Sequence, residues 1–86
     1  MENILIISPF PYAISKKVEE IKFKYFCKEV KNYKIHTIKA FPCELADRLQ
    51  GRNFDFAYID VEYIPEEINM IREHITGDAS KRMKFF

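Results

Sequence analysis

The chain has 86 residues, and a fold of that length buries only roughly 60–65 % of the surface its unfolded chain exposes, so one domain with a small core is expected. Fourteen Lys and Arg against thirteen Asp and Glu leave a formal charge of +1, so no global field recruits a polyanion and nucleic acid is not an expected partner. An apolar fraction of 48 % with 15 % aromatics argues against disorder, and the longest apolar run is far too short to span a membrane.

In chain order, the first element is "NILIIS" (3–8), a continuous apolar run rich in β-branched residues and ended by Ser-Pro. That composition predicts a strand buried on both faces of a parallel sheet. "PFPY" (9–12) is punctuated by two prolines, and the helical spacing of apolar residues without Gly or Pro predicts a helix over 14–32. "YKIHTIKAF" (33–41) mixes alternation with β-branched residues and reads as a second strand nearer an edge. Pro42 at a first helical position, Leu45 and Leu49 four apart, and Gly51 as a stop predict a short helix over 42–50.

"NFDFAYID" (53–60) is the third predicted strand. Pro65 repeats the helix-start signal, Glu66 and Glu67 put negative charge in the first turn, and Ile64, Ile68, Ile71 and Ile75 form one stripe, with Gly77 as the stop. "KRMKFF" (81–86) is read as a fourth strand. The order β-α-β-α-β-α-β predicts an α/β fold, a small open parallel sheet of the flavodoxin kind with helices on both faces. Ligand-binding and reactive groups of such sheets gather at the carboxyl ends of the strands, here Ser8 to Tyr12, Phe41 to Cys43 and Asp60 to Tyr63.

The segment "KNYKIHTIKAFPCELADRLQGRNFDFAYIDVEYIPEEINMIREHI" (31–75) resembles the middle of a response-regulator receiver domain of the LytTR-associated kind. The resemblance puts Asp60 at the phosphoacceptor position and Ile71-Arg72 at the end of the following helix. It also implies an acidic pair at the end of the first strand to hold Mg²⁺, where this chain reads Ser8-Pro9. The family's later hydroxyl and lysine have no counterpart before Phe86, where the fourth strand would be ending. A weaker resemblance is to the IIB components of lactose/cellobiose-type phosphotransferase systems. Their phosphorylated cysteine position holds Ser8, and "PFPYAIS" lacks the glycine and small hydroxyls of their phosphate loop. Both resemblances imply a fold and take away an activity.

For Asp60 the functional reading is a degenerate phosphoacceptor, and the bland reading a carboxylate capping the turn before Pro65; without metal or positioning partners the second is favoured. Cys43 is a reactive-thiol candidate, since it follows Pro42 at an expected helix N-terminus, against a small buried residue. Cys27 reads as packing, and the two cysteines, with no leader peptide in view, imply free thiols in a cytoplasmic setting. His36 and His74 show no metal-ligand spacing, so neither metal nor cofactor is expected, and the basic "SKR" with Lys84 reads as a solvated stretch.

The first helix is the most informative element. At 100° per residue Ile14, Val18, Ile21 and Tyr25 share one face, while Phe23, Phe26, Cys27 and Val30 share nearly the opposite one. One sheet cannot cover both. The second stripe, with Phe85 and Phe86 of the tail, is therefore the expected protein interface, toward a signalling partner or a second copy. The expectation is a non-enzymatic, receiver-like regulatory domain, a decoy, antagonist or dimerisation module; the alternative is residual phosphotransfer at Asp60 or thiol chemistry at Cys43.

Overall fold

A computed structural model describes residues 2–39, 53–75 and 82–86. The strand β1 (Glu2–Ile7) takes the middle of the sheet because its second half has no side that tolerates water: Ile4, Leu5, Ile6 and Ile7 are all fully buried. Each such side chain contributes about 1.5–3 kcal/mol by leaving water. Around it lie β2 (Tyr33–Ile38) on one side and β3 (Phe56–Ile59) then β4 (Met83–Phe85) on the other, in the order β2-β1-β3-β4 and all parallel. The expected α/β class, a small open parallel sheet with helices on both faces, is what forms.

Strand alternation sends neighbouring residues to opposite faces. Ile4 and Ile6 pack with Ile14, Ile21 and Tyr25 of α1 (Pro11–Cys27) and with Tyr58 of β3. Leu5 and Ile7 pack on the other face with Ile71 and Ile75, on or just beyond α2 (Pro65–His74), and with Phe54, Ile59 and Tyr63. The helix expected over 42–50 lies outside the described residues, as do Cys43, Gly51 and Gly77. Among the described residues no helix is long and apolar enough to cross a membrane.

The boundaries of α1 differ from the sequence reading at both ends. It begins at Pro11, three residues early, because proline at the first helical position gives up no intrahelical hydrogen bond. It ends at Cys27 although no glycine marks the stop. Instead Glu29 takes a left-handed conformation (φ 58°), the Glu29 N–H donates to the Phe26 carbonyl (3.1 Å) and the Val30 N–H to that of Tyr25 (3.0 Å). This is a Schellman cap, and Val30 folds back onto the same cluster as Tyr25, as that motif favours. The start of α2 is closer to expectation, with Pro65 at the first position and the Glu67 carboxylate accepting the Ile64 N–H at 3.0 Å.

A left-handed glutamate costs about 1 kcal/mol that glycine does not incur. Glu29→Gly is therefore expected to stabilise the fold by about 0.5–1 kcal/mol, raising the melting temperature by roughly 2–8 °C in a thermal denaturation. A fall in melting temperature would show that the cap is not under this strain.

Candidate functional site

The chain reverses direction across the sheet between β1 and β3, since β2 lies to one side of β1 and β3 to the other. At such a switch point the carboxyl ends of the two strands flank a crevice. Ile7 pairs with Ile59, so the next residues in register, Ser8 and Asp60, stand side by side and both project to the α1 face. Ser8 is fully buried and Asp60 is 5 % exposed.

The pair joins two segments 52 residues apart and is bonded on to the loops that follow each strand. The Ser8 hydroxyl donates to Asp60 Oδ2 at 2.6 Å, the Glu62 N–H donates to Asp60 Oδ1 at 2.9 Å, and the Ser8 Oγ accepts the Phe10 N–H at 3.0 Å. The backbone N–H of Asp60 donates to the Ile7 carbonyl at 3.0 Å, which locks the aspartate to the end of β1. Asp60 thus ties together the loop after β1, the turn after β3 and, through Phe10, the start of α1. Beside it, burial first and then the charges of Asp60 and Glu67 push the Tyr63 phenol well above its ordinary range, so it stays protonated. No buried side-chain nitrogen or oxygen among the described residues lacks a hydrogen bond.

Magnesium of the kind the receiver resemblance implies requires several hard oxygen ligands around one point. Here a serine hydroxyl occupies the place of the acidic pair and spends its proton on Asp60, the only buried carboxylate among the described residues. Among the described residues no group of three or more His, Cys, Asp or Glu converges. The residues do not fit a magnesium site.

In front of Asp60 lies an open groove of about 780 Å³, bordered by Phe10, Tyr12 and Lys17 of α1 and its approach, by Val61, and by Phe85 and Phe86. Phe10, Tyr12, Val61 and Phe85 are half or more exposed, or nearly so (50, 80, 59 and 46 %). The carboxyl-end rule selects "SPFPY" and "DVEY" as loops of interest, but nothing in the local pattern says that their apolar residues face outward together.

The six expected interface residues do not form one surface. Phe23 and Phe26 are 69 and 79 % exposed and Cys27 is a free, exposed thiol, all on the side of α1 away from the sheet. Val30 is half-buried against the core, because the Schellman cap turns it inward, yet it still lines an open hollow of about 850 Å³ with Phe26 and Cys27. Phe85 and Phe86 belong to the groove before Asp60, and Phe86 is half-buried against the α1-facing core. Its backbone is pinned, with its N–H donating to the Ile59 carbonyl (3.0 Å) and its carbonyl accepting from Val61 N–H (2.8 Å). His36 lies on the other face, its Nε2 3.2 Å from Asn3 Oδ1 and its ring edge-on to Phe54.

No protein-family model, no curated protein and no solved structure matches the chain.

Ser8→Ala would leave Asp60 Oδ2 and the Phe10 N–H without their buried partner, and a hydrogen bond to a charged group is worth about 1.5–3 kcal/mol. Urea denaturation of Ser8→Ala is expected to give a lower midpoint with an unchanged slope, a loss of about 2 kcal/mol. An unaltered midpoint would mean that the serine does not hold the aspartate.

Proposed function

We propose that this chain is a non-enzymatic regulatory domain, receiver-like in descent, that works in the cytoplasm by binding another protein or a second copy of itself through α1 and the β4 edge. The observation that carries the reading is the pair of phenylalanines on the outer side of α1, Phe23 and Phe26, left more than two-thirds exposed. Each presents about 150–250 Å² of aromatic surface, and aromatic anchors of that kind dominate the energetics of interfaces. Among the described residues β4 is an edge strand, with Phe85 exposed beside it, and an edge of that sort offers backbone groups that a partner strand completes.

The state of Asp60 supports the non-enzymatic half of the reading. Phosphoryl transfer to a carboxylate depends on positioning and on metal charge, and Asp60 has its oxygens engaged by Ser8 and Glu62 instead. As a decoy or antagonist, such a domain offers the shape of a signalling module without its switch. The competing reading, a residual phosphoacceptor, draws on the place of Asp60 at the foot of a groove at a strand's carboxyl end.

Phe23→Ser with Phe26→Ser is expected to leave folding stability within about 0.5 kcal/mol and to weaken self-association or partner binding at least tenfold, measured by sedimentation and by titration against the captured partner. Unchanged binding would remove the α1 face from the account. Incubation with acetyl phosphate and Mg²⁺ is expected to leave the protein unlabelled; label that disappears in Asp60→Asn would favour the phosphoacceptor instead.

A further inference from the structure

The flank of α1 turned toward β4 carries charge. At 100° per residue Lys17, Lys24 and the C-cap residue Lys28 fall within about 40° of one another, between the buried stripe and the outer phenylalanines. Opposite them stands Lys84 of β4. Lys17, Lys24 and Lys84 border a hollow of about 230 Å³, with Glu20, Ile21 and Tyr58 as its other walls. Four lysines from two elements far apart in sequence therefore gather around one place, and they do so because α1 and β4 lie side by side on one face of the sheet.

The acids nearby are already engaged. Glu20 is bonded to Lys17 at 3.1 Å, and Lys17 is further fixed over rings, 5.0 Å from the Tyr58 centre and 5.4 Å from that of Phe86. Of the acids whose charges reach Tyr25 and Tyr58, Glu2 is bonded to the Tyr25 hydroxyl and Asp55 accepts the Asn3 N–H at 2.7 Å. Neither Lys24 nor Lys84 has an ion pair with any described residue. Lys28 first, then Lys84, then burial and Lys17 hold the Lys24 ammonium below its ordinary range. Lys24 is exposed, so the leading cause is like charge and not loss of water. Two lysines that repel each other across a hollow they both line are within reach of one anion seated in it.

We propose that the hollow between α1 and β4 binds a small soluble anion of the di- or triphosphate class, bridging the ammoniums of Lys24 and Lys84. With Glu20 offsetting Lys17, three positive charges are left on Lys24, Lys28 and Lys84, so a single carboxylate answers one of them and a short phosphate chain answers all three. Lysine suits such a ligand, as a compact charge that needs no fixed fork. The hollow holds the volume of roughly eight waters, the scale of a phosphate chain and not of a protein segment. This site is independent of the protein-binding reading, since it lies on the flank of α1 and not on the side that carries Phe23 and Phe26. An anion seated there would also tie β4 to α1.

The test titrates the full chain with sodium tripolyphosphate in a calorimeter at low ionic strength. One saturable site is expected, weakening as salt rises, with a higher melting temperature in its presence. Lys24→Ala with Lys84→Ala should weaken binding at least tenfold with an unchanged circular dichroism spectrum. Lys22→Ala with Lys34→Ala removes the same charge from exposed positions elsewhere and should change the affinity less than twofold. Glu20→Gln should tighten binding, because it frees Lys17. A nucleoside triphosphate that binds as tripolyphosphate does assigns the site to the phosphates alone; one that binds more tightly, and loses that affinity in Lys24→Ala with Lys84→Ala, makes a nucleotide the source. Absence of saturable binding, equal losses in the two double variants, or a single-stranded oligonucleotide that binds where tripolyphosphate does not would overturn the assignment.

Discussion

The two-sided burial of β1 governs this structure. Ile4 to Ile7 expose nothing, so the fold must supply an apolar layer above and below a single strand. α1 provides one layer through Ile14, Ile21 and Tyr25, and α2 with the residue after it provides the other through Ile71 and Ile75. In a chain this short there is little further core to distribute, which is why β2 and β4 are edge strands with mixed exposure. The same constraint fixes where chemistry can be: β1 and β3 end side by side, and the first polar residues past their apolar runs are Ser8 and Asp60.

At that point the two polar side chains are bonded to each other and to the adjoining backbone. Asp60 is held by a side-chain hydroxyl and a backbone amide, and the serine that holds it also orders the entry into α1 by accepting from Phe10. A carboxylate so engaged is a structural clasp between three segments. The turn-capping contact expected of Asp60 is present through the Glu62 N–H, and Ser8 is a second partner of the carboxylate that local sequence does not reveal.

The outside of the molecule divides along α1. Away from the sheet, Phe23 and Phe26 stand in solvent; toward β4, Lys17 and Arg82 ride over aromatic rings. These surfaces differ in chemistry, one greasy and one cationic over an aromatic floor, and they are separated by the width of the helix.

Periodicity and composition were enough for the class of fold, for the strand β1, and for the buried stripe of α1, because each depends on residues near in sequence whose spacing matches one regular geometry. The burial of Ile14, Ile21 and Tyr25, and the exposure of Phe23 and Phe26, follow from that spacing. The end of α1 did not show in the sequence, since Glu29 carries no mark of a left-handed residue and its conformation is imposed by the cap and by Val30 docking on Tyr25. Neither did the Ser8–Asp60 bond or the meeting of Lys24 with Lys84. Those residues lie 52 and 60 positions apart, and only the parallel register of β1, β3 and β4 brings them within reach.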